Sequence, residues 1–354
     1  MNKKLIFLVI TISVFGLIMI YSSSYVWAEY KFNDQFKYVK NQGLFLIIGI
    51  ILMLLISKIP YSFYYKNSNK IFTICFILLV LVLFIGTERN GSKSWFKIGS
   101  FGIQPSEFMK LSMIIFTSKY LYKNSKKLGK IKEGILPILG ITLIIFGLIM
   151  LQPDFGTGVI LVMGVIGLLF VGGVNAKFFL KIALLGIFGI IMLILMAPYR
   201  LKRILSFLNP WEDPLGSGFQ IIQSLYAIGP GGLFGQGFGA SRQKHFYLPE
   251  PQTDFIFSII SEEFGFLGIL IVSILFISII YLGIKIALKS NNLFGKYLAF
   301  GITFSLGFQT LLNLMVVVGL IPVTGVTLPF LSYGGSSLLI TLISIGIILN
   351  VGKD

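Results

Sequence analysis

The chain has 354 residues, 56% of them hydrophobic and 12% charged, with a formal net charge of +16. Soluble domains are about 25% charged, so this composition leaves no room for a separate soluble domain and points to a polytopic membrane protein. The positive balance fits lysines that flank membrane spans, and the lack of a basic domain with stacking aromatics argues against nucleic acid as a partner.

The N-terminal MNKKLIFLVITISVFGLIMIYSSS has the layout of a signal peptide. Its apolar run of about 16 residues is long for one, so it reads as a retained first helix. A span needs about 20 apolar residues. Ten candidates follow along the chain, at 5–24, 43–60, 71–87, 106–122, 135–151, 157–173, 178–197, 255–284, 298–319 and 335–351. The third holds Cys75, the single cysteine, which excludes an intrachain disulfide. The fourth carries Glu107 and Lys110 and so cannot be wholly lipid-facing. The eighth is long enough to be tilted or partly outside the bilayer. The expected fold is all-α and polytopic, with about ten transmembrane helices. It forms a single membrane domain over 1–354, with one long extracellular loop at 198–254 between helices 7 and 8.

An N-terminus in the cytoplasm places the short lysine-dense loops inside, as the positive-inside rule requires. The even number of spans then returns the C-terminus to the cytoplasm. Most carboxylates fall on the opposite, outer side: Glu29, Asp34, Glu88, Asp154, Glu212, Asp213, Glu250 and Asp254. Acids contribute little to topology. Two readings stay open: longer outer loops that simply carry fewer lysines, or carboxylate chemistry on the outer face.

The long loop is the main anomaly, because compact folds rarely keep such a connection without purpose. Ile221, Ile222, Leu225 and Tyr226 have helical spacing and suit a membrane-surface helix. GPGGLFGQGFG, from Gly229 to Gly239, is too glycine-rich for a helix and permits close backbone approach to a ligand. Its Leu233, Phe234 and Phe238 argue for a folded loop over a linker. Arg200, Lys202, Arg203, Arg242 and Lys244 suit phosphate groups. The carboxylates suit proton abstraction. The same residues equally suit lipid headgroups and one another.

Other polar segments sit at membrane depth. In QPSEFMK, Glu107 and Lys110 share a helix face, either as a self-neutralised pair or with Lys110 on a phosphate. Asp154 or Thr157 in LQPDFGTG suits a helix cap. Asp254, Ser258 and Glu262 recur every four residues on one face, as do Gln309 and Asn313. PVTGVTLPFLSYGGSS, Pro322 to Ser337, is irregular and must be buried or wet; its hydroxyls, Ser332 among them, suit sugar or phosphate.

Taken together and in order, KSWFKIGSFGIQPSEFMKLS, QPDFGTG, DPLGSGFQIIQSLYAIGPGGLFGQGFG, YLPEPQTDFIFSIISEEFGFLG and PVTGVTLPFLSYGGSS resemble the SEDS family (shape, elongation, division and sporulation). These are polytopic peptidoglycan glycosyltransferases of bacteria. NPWEDPLGSGFQIIQSL and GASRQKHFYLPE look more like the FtsW and SpoVE branch than the RodA branch. The resemblance implies polymerisation of lipid II at the outer face of the bacterial cytoplasmic membrane, by β-1,4 linkage and with release of undecaprenyl pyrophosphate. The family's essential aspartate falls on Asp254, as the base for the acceptor hydroxyl. Glu250, between two prolines, reads as a positioning or ion-binding group. Lys110, Glu107, Arg203, Arg242, Lys244 and Ser332 complete the expected substrate-binding set. No cofactor is assigned. The positive charge that the pyrophosphate needs comes from Lys110, the loop arginines or a divalent cation, Mg or Mn. Implied partners are a class B penicillin-binding protein transpeptidase and other divisome or sporulation membrane proteins. Ser94 stands where the family often has arginine, with Lys93 and Lys97 as possible stand-ins, and Gln252 where histidine is common. A lipid II flippase and a non-catalytic transpeptidase scaffold remain open as alternatives.

Overall fold

The computed structural model describes residues 2–89, 92–98, 101–195 and 205–353. Arg200, Lys202 and Arg203, three of the expected phosphate-binding cations, lie outside the described residues. The ten expected spans are ten helices. They are α1 (Lys3–Phe32), α2 (Lys37–Ile56), α3 (Tyr61–Ile85), α4 (Pro105–Asn124), α5 (Leu136–Met150), α6 (Phe155–Val171) and α7 (Ala176–Leu195), then, beyond a short loop helix α8 (Phe219–Ile228), α9 (Ile256–Lys289), α10 (Leu293–Val317) and α11 (Gly335–Val351). Among the described residues, six runs are long and apolar enough to cross a membrane: α1, α2, α3, the helical run through α5, α9 and α10. Helices α6 and α11 are apolar at 17 residues each.

The burial pattern suits lipid. Ile47, Ile51 and Leu55 on α2, and Ile271, Ile274 and Ile277 on α9, are exposed, while Glu107, Lys110, Gln309 and Asn313 are buried. Helix α4 explains how a charged segment sits among the spans. It packs against α3, α6 and α10, so Glu107 and Lys110, both buried, face protein. Helix α7 lies at the periphery, with Leu180, Leu184, Leu185 and Phe188 exposed.

One addition to the all-α expectation is a three-stranded antiparallel meander between α3 and α4. It consists of β1 (Thr87–Arg89), β2 (Ser92–Ile98) and β3 (Phe101–Ile103), with Glu88 opposite Lys93 and Lys97 opposite Gly102. Strands of three, seven and three residues are too short to stand out between spans in the sequence.

The long eighth span is broken, not merely tilted. Gly265 takes φ 61, ψ −155 inside α9, which frees backbone groups on both sides of the kink. The glycine-rich loop satisfies them. The amides of Gln236 and Gly237 donate to the carbonyls of Glu262 and Glu263 at 2.9 and 3.0 Å, and those of Phe266 and Leu267 donate to Gly232 and Leu233 at 2.9 and 3.1 Å. Backbone groups left bare at this depth would cost several kcal/mol each, as an order of magnitude. Within GPGGLFGQGFG, Gly231 and Gly235 thus bring the loop backbone close against α9. A Cβ at Gly265 would collide with the Gly235 backbone. Gly265→Ala is therefore expected to cost about 1–3 kcal/mol from backbone strain alone, with more from the clash. A drop in thermal unfolding temperature in detergent measures it; an unchanged midpoint would refute the interlock.

Helix α8 is also tertiary structure, not a free membrane-surface helix. Ile221, Ile222, Ser224 and Ala227 are buried. The Ser224 hydroxyl lies 2.7 Å from that of Ser258 on α9 and donates to the Val317 carbonyl at 2.7 Å. Leu225 and Tyr226 stay exposed.

Two ends of the bundle can be told apart. At one end, Lys3 and Lys4 border a groove with Tyr281 and Leu282, and Asn350 and Lys353 bond the Ser57 carbonyl in the α2–α3 turn. Both ends of the chain therefore lie on that side. The long loop and the 322–334 segment close the other end.

Candidate active site

Asp254 occupies the turn just before α9, half-buried. The turn is stiffened from inside: Glu250 has φ 43, and its carbonyl accepts from both the Thr253 amide, at 3.0 Å, and the Thr253 hydroxyl, at 2.7 Å. The same Thr253 hydroxyl lies 3.0 Å from Asp254 Oδ1, so its one proton is shared between the Glu250 carbonyl and the carboxylate. The Asp254 backbone carbonyl accepts from Asn313 Nδ2 at 2.8 Å. The side chain of this residue is thus aimed by its own backbone.

Asn313 does a second job. Its Nδ2 also donates to the Val326 carbonyl at 2.7 Å, tying the proline- and glycine-rich 322–334 segment to the Asp254 turn. One helical turn away on the same face of α10, Gln309 donates to the Thr327 carbonyl at 3.0 Å and accepts from Lys110 at 2.9 Å. Four residues at 1.5 Å rise separate these contacts by about 6 Å along the helix. Lys110 and the Asp254 turn therefore hang from adjacent turns of one helix. The Gln309–Asn313 spacing was legible in the sequence; that it links cation and carboxylate was not. Asn313→Leu is expected to leave both carbonyls bare, at about 1–3 kcal/mol each, and to lower kcat more than KM. Unfolding midpoints and steady-state kinetics check this; an unchanged kcat would remove Asn313 from the positioning role.

Gln42, which no sequence pattern singled out, bridges the other side. It donates to the Ser332 carbonyl at 3.1 Å and accepts from the Gly334 amide at 3.1 Å, while the Tyr333 amide donates to the Gln252 carbonyl at 2.8 Å. Tyr333 packs edge-on against Tyr38, centroids 4.9 Å apart, and the exposed Glu250 lies within electrostatic reach of the Tyr38 phenol. Asp254, Glu250, Gln252, Tyr333 and Tyr38 thus share one corner.

Glu107 and Lys110 pair at 3.0 Å, both buried. A cavity of about 40 Å³ opens beside them, lined also by Ser305, Gln309, Thr341 and Ser344. Asp154 does cap α6, accepting from the Thr157 amide at 3.2 Å, and it takes further hydrogen bonds from Gln104 Nε2 at 2.9 Å and Ser106 Oγ at 3.3 Å. Burial pushes its carboxyl above the usual range, against the lowering effect of the Thr157 bonds.

Two expected substrate contacts are corrected. Lys244 is fully buried, its ammonium 2.9 Å from Glu263 Oε1 and 2.6 Å from the Gly239 carbonyl, over the Tyr25 ring at 5.0 Å. It staples the glycine-rich loop to α9 and α1 and presents no charge to a phosphate. Ser332 is buried, and its hydroxyl accepts from the Leu328 amide at 2.8 Å, so it shapes the 322–334 segment from within. Glu262 likewise faces packed loop: it accepts from the Ser241 hydroxyl at 2.5 Å and the Arg242 amide at 2.8 Å. Arg242 leaves its side chain exposed and stays available. On β2, Ser94 is buried and 2.9 Å from Ser92 Oγ, Lys93 donates to the Phe84 carbonyl at 3.0 Å, and Lys97 is exposed. His245 is exposed and meets Tyr25 edge-on.

The comparisons with known proteins agree with this architecture. The FtsW/RodA/SpoVE family model, described as a cell cycle protein, matches residues 3–354. Stage V sporulation protein E of Bacillus subtilis (strain 168) is 53% identical over 99% of this chain and 96% of its own length. A probable peptidoglycan glycosyltransferase FtsW of Geobacter sp. (strain M18) is 40% identical over 97% of this chain and 94% of its own. Among solved structures, a chain of a peptidoglycan synthase complex that coordinates polymerization and crosslinking superimposes with a TM-score of 0.80 at 32% identity, covering 100% of this chain and 98% of that one. The rod shape determining protein RodA of Thermus thermophilus does so at 0.74 and 29%, covering 100% and 97%. With a family match over nearly every residue, the chain belongs to the FtsW/RodA/SpoVE family of multi-pass membrane proteins.

Proposed function

We propose that this chain is a peptidoglycan glycosyltransferase that polymerises lipid II at the outer face of the cytoplasmic membrane, with both termini inside. The observation that carries the site assignment is the suspension of Asp254 and Lys110 from adjacent turns of α10, through Asn313 and Gln309. A half-buried carboxylate held by its backbone is suited to general-base work, which depends on geometry first. Asp254 takes the proton from the acceptor sugar 4-hydroxyl as that oxygen attacks the donor's anomeric carbon. The bond from that carbon to the pyrophosphate oxygen breaks, its electron pair leaves with undecaprenyl pyrophosphate, and the centre inverts.

The leaving group needs positive charge in a poorly hydrated site. Arg242 and Lys97 are exposed cations on the loop side of the bundle. Lys110 acts from below, its charge partly met by Glu107, so its role is to hold Gln309 and the 322–334 segment as much as to meet phosphate. Among the described residues no group of three or more His, Cys, Asp or Glu side chains gathers to hold a metal. The oxygen donors that suit a magnesium or manganese ion are Asp254 and Glu250, with Gln252 Oε1 and Asn313 Oδ1, two buried oxygens that carry no hydrogen bond. Bound there, such an ion would supply charge neutralisation for the pyrophosphate.

The flippase alternative finds little support. The cavity beside Lys110, about 40 Å³, holds a few waters and is too small for a disaccharide headgroup. A class B penicillin-binding protein is the partner this reading expects. The test is purified protein, with its transpeptidase partner, incubated with labelled lipid II in detergent. Glycan strands are expected on a gel; their absence under every partner and metal condition would overturn the reading.

A further inference from the structure

At the end of the bundle that holds both chain ends, a groove runs between the start of α1 and the last third of α9. Its volume is about 490 Å³, and its lining is Lys3, Lys4, Phe7, Leu8, Ser278, Tyr281 and Leu282. The chemistry is divided along its length. The lining is mostly apolar: Phe7 on α1 and Tyr281 on α9 are exposed, and Leu8 and Leu282 line it with them. The mouth is basic: Lys3 and Lys4 are exposed, and Lys285, one turn beyond Tyr281, holds its ammonium 5.8 Å from that ring. The N-terminus of α1, whose dipole favours negative charge, opens at the same place, capped by Asn2. Among the described residues that line the groove, none is acidic.

We infer that this groove seats an anionic phospholipid of the leaflet on the side of the chain ends, headgroup phosphate on Lys3, Lys4 and Lys285, and acyl chain along Phe7, Leu8 and Leu282. The occupant follows from charge complementarity and position. An apolar channel that ends in three cations matches a molecule with an apolar tail and an anionic head. In a bilayer that leaflet bathes this surface directly. A partner's transmembrane helix would cover the apolar lining but would leave the basic mouth without a counterpart. Clustered lysines at a membrane face read as anionic-lipid contacts for the same reason. This site lies at the opposite end from Asp254 and does not depend on the catalytic assignment.

The test uses the full-length protein in mild detergent, mixed with phosphatidylglycerol or with phosphatidylcholine, and reads retained lipid by native mass spectrometry. Phosphatidylglycerol is expected to be retained preferentially. The triple variant Lys3→Gln/Lys4→Gln/Lys285→Gln is expected to lose at least about tenfold of that retention, since each lysine near an anionic headgroup is worth roughly fivefold. A control triple, Lys126→Gln/Lys127→Gln/Lys132→Gln, removes exposed lysines from the α4–α5 connection at the same end and is expected to keep it. Ser278→Trp fills the groove with every lysine in place and is expected to lose retention as well. Equal loss in the two triples would mean diffuse surface charge and would overturn the proposal. So would full retention in Ser278→Trp. A photo-crosslinker at position 278 in native membranes is expected to yield a lipid adduct; a protein adduct there would assign the groove to a partner helix instead.

Discussion

Asp254→Asn is expected to slow glycan polymerisation by about 10²–10⁴-fold, the range for loss of a proton-transferring group, while lipid II binding persists. Asparagine keeps the size of the side chain and can still meet the Thr253 hydroxyl, and the backbone bond from Asn313 to the residue 254 carbonyl does not involve the side chain. The turn should therefore hold its shape and only the basicity should go. Asp254→Glu keeps the base but moves it by one methylene. A misplacement of about 1 Å can cost on the order of 10²-fold, so this variant is expected to fall between the two. Polymer length on gels gives the rate, and a fluorescent lipid II binding assay gives the affinity. Parent-like strands from Asp254→Asn would rule out a base at this position. Lost binding with a normal fold would make the residue a substrate anchor instead.

The second large effect is expected at the Lys244–Glu263 pair, where both side chains are 0% exposed. Lys244→Met leaves the Glu263 carboxylate buried, with the Ser22 hydroxyl at 2.6 and 2.7 Å as its remaining side-chain donor. Uncompensated buried charge typically costs about 3–5 kcal/mol, and Glu263→Leu should cost as much by stranding the ammonium. The double variant removes both charges. Apolar replacement of a buried ion pair is often neutral or stabilising, so it is expected to recover most of the loss. Thermal unfolding of all four proteins closes a double-mutant cycle, and residues in contact should show clear coupling. Additive losses would mean that each side chain acts through other partners. Since this pair, with Ser22 and Tyr25, ties the glycine-rich loop to α1, the single variants should also lose polymerisation, and the double variant should regain part of it.

The sequence was legible where a rule acts on consecutive residues. Hydrophobic length is such a rule, and each of the ten expected spans overlaps a helix, because a helix in lipid must satisfy its backbone within its own segment. The Asp154 cap is local in the same way. The SEDS motifs, read in order along nearly the whole chain, led to the family that the comparisons then gave.

What the sequence could not disclose was which polar groups meet across the fold. Lys244 and Arg242 are two residues apart in one basic stretch, yet one is sealed against Glu263 and the other is exposed. That outcome is set by Ser22 and Tyr25, more than 200 positions away in α1. Glycines that suited ligand contact serve a helix break at Gly265, because the carbonyls and amides freed there need partners more than a loop needs freedom. The sequence by itself determined the ten-helix membrane architecture and named Asp254 through its motif. Tertiary structure decided which charges are free to act and which are buried as staples, because burial converts an ion from a solvated contact into a group that must find its partner within the fold.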